Sequence, residues 1–261
     1  MPFIIVRQDI TKMKVDAIVN AANTDLAMGG GVCGAIFKAA GIQAMKTACE
    51  KVSPIKTGDA AVTPGFNLPC NYVIHAVGPV YQHWNKEQSE KLLHSAYLKS
   101  LQLAAEKECD SVAFPLISSG IYGYPKDEAL FVARATIQDF LADHDMTVYL
   151  TVFDNTAFAI SEKLLGNVAS YIDEHYVEEH MDYRRELLDV ERDAYRETDL
   201  ISYNIPMPSM AVKKPQPAQK AGIDDLLGNL DEPFSETLLR LIDAKGKTDV
   251  EVYKSANIDR K

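Results

Sequence analysis

An α/β fold built on a largely parallel sheet is what this 261-residue sequence predicts, and three observations carry that expectation. Through about residue 170, short apolar or β-branched runs alternate with longer amphipathic runs, the pattern of strands joined by crossover helices. Apolar residues make up 47% of the chain and charged residues 25%, ordinary for a globular protein rather than a disordered one. Three predicted strands run straight into glycine-rich or polar loops, the position where open α/β sheets collect ligands.

In chain order, strands are expected at Ile4 to Arg7, Asp16 to Asn20, Ala60 to Thr63, Tyr72 to Val77, Ser111 to Pro115 and Thr147 to Phe153. Helices are expected over Gly34 to Glu50, Glu87 to Lys107 and Asp127 to Leu141, where apolar residues recur at three- and four-residue steps, with Leu92, Ala96 and Leu103 on one stripe. Ser161 to Glu197 reads as one long helix or two consecutive ones, striped by Ile172, Tyr176, His180, Tyr183 and Leu187. Four of the twelve prolines then fall in Ile205 to Gly222, which has no periodicity and reads as a linker. Ser235 to Ala244 predicts a further helix with Ser235 as a simple N-cap, and Thr248 to Lys254 and Asn257 onward two more short ones. The expected organisation is a domain over residues 1–170, an acidic helical extension over 171–199, a Pro-rich linker over 200–233 and a truncated helical segment over 234–261.

Charge and cysteines narrow the classes of function. The formal net charge is −10, and residues 171–199 alone supply −7 through eleven Asp or Glu against four Arg. Such a face more often meets solvent than a ligand, and the balance argues against nucleic acid held by a broad basic surface. Residues 1–170 carry only −3, so a diphosphate could still be held there by backbone amides and a helix N-terminus. Cys33, Cys49, Cys70 and Cys109 form no CxxC pair, which reads as reduced thiols and no zinc site. No apolar run of 18 residues and no secretory leader is evident, so the expected location is cytoplasmic, with no membrane partner.

The first loop is Asn20-Ala21-Ala22-Asn23, followed by Gly29-Gly30-Gly31-Val32-Cys33-Gly34 opening a helix. Consecutive glycines let a ligand approach the backbone closely, and free amides at a helix start favour phosphate, although a glycine triplet alone is equally a tight turn. The second loop, Ile117-Ser118-Ser119-Gly120-Ile121-Tyr122-Gly123-Tyr124-Pro125, offers hydroxyls, freed amides and an aromatic ring to a diphosphate and a sugar. The third, Phe153-Asp154-Asn155, offers an aromatic face, and is otherwise a helix start capped by Asp154 or Asn155. Their convergence predicts a nucleotide pocket. His75 reads as a hydrogen-bonded core residue, Trp84 with Tyr81 as a pocket rim or packing, and His175 with His180 as too far apart in register for a helical metal pair. No metal and no cofactor is expected.

NAAN at Asn20 to Asn23, GGGVCGAIF at Gly29 to Phe37, Ala39-Ala40-Gly41, HAVGP at His75 to Pro79 and SGIYGYP at Ser119 to Pro125 together resemble the macrodomain family over roughly residues 2–170. The resemblance implies a three-layer α/β/α sandwich with a mixed, mostly parallel sheet, and a site for ADP-ribose or mono-ADP-ribosylated proteins. Many members cleave mono-ADP-ribose from acidic side chains, some deacetylate O-acetyl-ADP-ribose, and others only bind. It further implies Asp9 as acceptor for the adenine amino group, the Ile10 backbone beside it, and Phe153 packed on the adenine with Asn155 near by. Gly30, Gly31 and Val32, with Ser118, Ser119, Gly120, Ile121 and Tyr122, would wrap the diphosphate, and Cys33 of the glycine loop is also expected among the ligand-binding residues. Asn20 belongs to the ligand-binding motif, Asn23 would bind the distal ribose, and Asn23, Gly31 and Tyr122 would carry catalysis by positioning. One departure stands out: Cys33 occupies the place of the Asp that follows GGGV in the hydrolase branch, although viral relatives hydrolyse without an acid there. Phe234 to Lys261 resembles the start of a repressor-type helix-turn-helix module of the kind appended to macrodomains in some Gram-positive bacteria, ending before its recognition helix, and so implies a nucleotide-sensing arm of a transcription regulator as another reading.

Overall fold

A computed structural model describes residues 2–166, 168–180 and 190–191. Seven strands form one sheet: β1 (Phe3–Arg7), β2 (Ala17–Ala21), β3 (Ala60–Pro64), β4 (Tyr72–Ala76), β5 (Ser111–Pro115), β6 (Thr147–Val152) and β7 (Ala169–Ser170). Their spatial order is β3-β4-β2-β5-β6-β1-β7. Every neighbouring pair is parallel except β3 with β4. The helices are α1 (Gly31–Ala40), α2 (Ile42–Cys49), α3 (Lys86–Glu106), α4 (Lys126–Leu141), α5 (Asn155–Leu165) and α6 (Glu174–His180).

The strands are apolar on both faces because helices cover both, which is why they read as continuous runs rather than alternating ones. Ala17, Val19, Ile74, Phe114, Val148 and Leu150 pack with Leu93, Tyr97 and Leu101 of α3 and Ile137 of α4. On the other face Ile18, Val73 and Ala113 meet Ile36 and Phe37 of α1 and Met45 of α2. The result is a three-layer α/β/α sandwich whose two cores share the sheet. Each fully buried Leu, Ile or Phe contributes about 1.5–3 kcal/mol. Among the described residues no helix is long and apolar enough to cross a membrane.

All six expected strands are present, shifted by at most one residue at either end. Four features differ from expectation. The helix expected over Gly34 to Glu50 begins three residues earlier and is two helices, broken at Gly41, whose φ of +101° no helix accommodates. In α3 the buried stripe runs through Leu93, Ala96, Tyr97, Ser100, Leu101 and Ala104, so Leu92 and Leu103 flank it at half burial. Ser161 to Glu197 is not a continuous helix: α5 ends at Leu165, Gly166 turns the chain at φ +84°, and β7 adds to the sheet edge beside β1 before α6 starts. The unexpected strand owes its place to Val6↔Ala169 and Arg7↔Ser170 pairing, a long-range ladder that helical periodicity cannot reveal. Residues 190–191 are helical, and the expected Pro-rich linker and the segment from 234 to 261 lie outside the described residues.

Candidate functional site

The four adjacent parallel strands β2, β5, β6 and β1 end on the same edge of the sheet, and each delivers one group of candidate residues there. β2 leads to Asn23 and the glycine loop, β5 to Ser118 through Tyr122, β6 to Phe153 and β1 to Asp9 and Ile10. Three interstrand steps of about 4.8 Å set these groups along a line of about 14 Å. A linear ligand lying across the strand ends would meet them in that order.

The first loop is held by its own side chains. Asn23 is 3% exposed; its Nδ2 donates to the Ala27 carbonyl at 3.1 Å and its Oδ1 accepts from the Ala27 amide at 2.9 Å. One amide proton and one lone pair remain to Asn23 for other partners. Gly30 caps α1 and Gly31 opens it at φ +55°, with Gly31 exposed and Gly30 and Val32 half-buried. Cys33 turns inward at 5% exposure, its sulfur accepting from the Gly29 amide at 3.4 Å and from Asn20 Nδ2 at 3.6 Å. In this fold the thiol braces the glycine loop.

Asn20, the first asparagine of the motif, lies within β2 itself. It sits on β2 with no exposure, and its Nδ2 donates to His75 Nδ1 at 3.0 Å as well as facing Cys33. It belongs to the wall behind the glycine loop, because the motif places Asn20 within the strand and only Asn23 beyond it. His75 is the core residue expected, fully buried and bonded through Nε2 to Thr63 Oγ1 at 2.9 Å. Burial pushes its pKa down to about 4, against an ordinary value of 6.5. The unfolded chain therefore binds the extra proton between those values, and folding stability falls as pH drops through that window. Between pH 7.5 and pH 5 the loss should be about 2 kcal/mol from His75. Urea titrations at the two pH values check this, and His75→Gln should remove that share of the dependence.

The second loop is anchored from below by Tyr97. This fully buried residue of α3 donates to the Pro115 carbonyl at 3.2 Å and accepts from the Ile117 amide at 3.0 Å, clamping the exit of β5. Burial pushes its phenol pKa up, so it stays protonated. Ser118 has a left-handed φ of +62° and its carbonyl accepts from the Tyr124 amide at 3.0 Å. Its buried hydroxyl faces Gly78, where an added Cβ would come within 2.2 Å of Ser118 Oγ and 2.5 Å of Ile117 Cγ2. Ser119 Oγ donates back to the Leu116 carbonyl at 2.8 Å, and the Tyr122 carbonyl accepts from the Tyr81 amide at 2.9 Å. Gly120 and Ile121 form the exposed crest, and the Tyr122 side chain is half-buried. Tyr81 is buried while Trp84 is half exposed.

At the far end Asp154, not Asn155, caps α5, accepting from the Ala157 amide at 2.9 Å. Lys126 at the start of α4 pairs with Asp154 at 2.6 Å and so ties the second loop to the third. Asn155 is exposed and its Oδ1 accepts from buried Arg7. Asp9 Oδ1 accepts from the Thr11 amide at 2.9 Å and the Thr11 hydroxyl at 2.7 Å. Its Oδ2 accepts from the hydroxyl of Tyr176 on α6 at 2.5 Å, and the Tyr176 ring meets Phe153 edge-on with centroids 6.3 Å apart. Tyr97, Gly78 and Tyr176 all shape this edge without having been expected there. Among the described residues no group of three or more His, Cys, Asp or Glu could hold a metal ion, and His175 faces Glu179 instead.

The family model described as Macro domain matches residues 19–133. A macro domain-containing protein of Mesorhizobium japonicum is 51% identical over 148 residues, covering 56% of this chain and 83% of the relative. A protein of Escherichia coli K12 named O-acetyl-ADP-ribose deacetylase is 44% identical over 167 residues, covering 62% of this chain and 93% of the relative. Among solved structures, the Oceanobacillus iheyensis macrodomain with ADP is similar at a TM-score of 0.58 and 37% identity, covering 68% of this chain and 92% of that one. The Trypanosoma brucei macrodomain in complex with ADP-ribose is similar at a TM-score of 0.57 and 34% identity, covering 63% of this chain and 69% of that one.

Proposed function

Because the chain belongs to the macro domain family, we propose that it binds ADP-ribose across the strand ends and hydrolyses mono-ADP-ribosyl esters of Asp and Glu side chains. The observation that carries this reading is the order of the four loops along the sheet edge. The distal ribose would lie at Asn23 and Gly31, the diphosphate between Gly30 to Val32 and Ser118 to Tyr122, and the adenine at Phe153, Asp9 and the Ile10 backbone. Backbone amides and the start of α1 suit a diphosphate without a basic patch. Complexes of the relatives with ADP and ADP-ribose support the same ligand class.

The proposed reaction asks little acid catalysis of the protein. Water held by a ligand phosphate attacks the distal ribose C1″; the C1″–O bond breaks and its electron pair leaves with the side-chain carboxylate, whose acid has a pKa of about 4. The water proton passes to solvent. Asn23, Gly31 and Tyr122 act by positioning the sugar and the water. Deacetylation of O-acetyl-ADP-ribose, the activity in the E. coli relative's name, is a second ester cleavage for the same seat. Residues 1–170 would form this module, residues 171–199 an acidic extension, residues 200–233 a linker and residues 234–261 a helix-turn-helix-like segment.

One observation favours a second reading, a binder of ADP-ribose that does not cleave it. Cys33 stands where the hydrolase branch has a carboxylate, and its sulfur is committed to the Gly29 and Asn20 donors. Following label release from a glutamate-ADP-ribosylated target and from an arginine-ADP-ribosylated one separates the two. Hydrolysis predicts release from the ester and little from the guanidine, a far poorer leaving group. Micromolar binding of ADP-ribose without release makes the protein a reader.

A further inference from the structure

Among the described residues, Tyr176 of α6 links the helical extension to the site. β7 pairs with β1, the Tyr171 amide donates to the Arg7 carbonyl at 2.9 Å, and the chain therefore leaves the sheet beside the C-terminal end of β1. Asp173 then caps α6 by accepting from the Tyr176 amide at 2.9 Å, and Val177 is buried, which turns Tyr176 toward Asp9 and Phe153. Its hydroxyl and its ring thus touch the two residues at the β1 and β6 end of the edge, from an element that periodicity places in a separate acidic helix.

From these contacts we infer that Tyr176 is a positioning and specificity-determining residue for the base of the nucleotide, selecting 6-aminopurines over 6-oxopurines. The inference rests on the ADP-ribose reading. A carboxylate offers about four acceptor positions. Thr11 fills two on Oδ1 and Tyr176 one on Oδ2, so the Asp9 carboxylate is fixed in orientation with one position on Oδ2 left for an incoming N–H donor. The exocyclic amine of adenine donates there; the 6-oxo group of hypoxanthine is an acceptor and meets the carboxylate lone pair. Desolvation, reinforced by Asp9, pushes the Tyr176 phenol up to about 12, so it remains the donor across the physiological range. The ring, edge-on to Phe153, limits the tilt of that aromatic face.

Calorimetric titration of the full chain and of Tyr176→Phe with ADP-ribose and with its hypoxanthine analogue tests the inference. The Phe variant keeps the ring contact and removes only the donor to Asp9. Affinity for ADP-ribose should fall about ten-fold, as for loss of a hydrogen bond to a charged group, and the preference for adenine over hypoxanthine should shrink by a similar factor. Tyr176→Ala should weaken both ligands further by freeing Phe153. An unchanged base preference in Tyr176→Phe, or tighter ADP-ribose binding, would overturn the role, the latter by making Tyr176 a competitor for Asp9. Failure of the unmodified chain to bind ADP-ribose overturns instead the reading beneath it.

Discussion

Asn23→Ala is expected to lower kcat/KM for ester-linked ADP-ribose by about 100-fold or more, the size of effect that follows from losing a positioning contact at the reacting sugar. Two losses combine in this variant. The amide proton that Asn23 has to spare would no longer orient the distal ribose, and the paired bonds to Ala27 that hold residues 24–28 in place would disappear. Asn23→Asp separates the two. It retains an acceptor for the Ala27 amide and removes the donor, so a loop-bracing role alone would leave much of the activity. If positioning of the ribose dominates, the Asp variant should be nearly as impaired as the Ala variant. The effect should appear mainly in kcat, because the adenine and diphosphate contacts are distant from it. Full activity in Asn23→Ala would remove Asn23 from the mechanism.

Gly78→Ala should weaken ligand binding although residue 78 need not touch the ligand. The added methyl would fall 2.2 Å from Ser118 Oγ and 2.5 Å from Ile117 Cγ2, and Ile117 is 1% exposed with little room to withdraw. Something must move, and Tyr97 fixes the loop on the β5 side, so the strain passes to Ser118 and the turn beyond it. Overpacking of this kind costs about 1–3 kcal/mol, and a displaced second loop should weaken ADP-ribose binding by at least about ten-fold. Ser118→Gly added to Gly78→Ala should restore part of the affinity. It removes the closest contact, and glycine accepts the left-handed φ of +62° at that position without penalty. The double-mutant cycle measured by thermal unfolding and by titration should show positive coupling between the two sites.

The sheet and most helices could be read from residues because their determinants are local. Val and Ile runs such as Tyr72 to Ala76 stand between turn formers, and amphipathic runs follow most of them. The loops at the strand ends were equally readable, since a glycine triplet or a Gly-Tyr-Gly-Tyr-Pro turn says what the backbone can do there. Three matters were not readable. Asn20 and Asn23 share one motif, yet one lies within the strand and the other beyond its end, a distinction set by where β2 stops pairing with β4. Gly78 looks like any turn glycine until Ser118, forty residues on, packs against it. Tyr176 sits on a stripe that continues smoothly from Ile172 to Leu187, so its direction is fixed only when β7 docks on β1, a contact between segments some 160 residues apart with no local signature.

Cys33 shows how a substitution can keep a fold while changing a chemical prospect. A carboxylate there could orient or deprotonate water, whereas the thiol accepts two weak bonds and lies 95% out of solvent. The proposed hydrolysis therefore depends on the leaving carboxylate and the ligand phosphate more than on any protein base.

The most direct test of ADP-ribose binding across the strand ends is calorimetric titration of the full chain with ADP-ribose. One-to-one binding in the micromolar range is expected, weakened in Gly78→Ala. No measurable binding at millimolar ADP-ribose by a folded protein would contradict it.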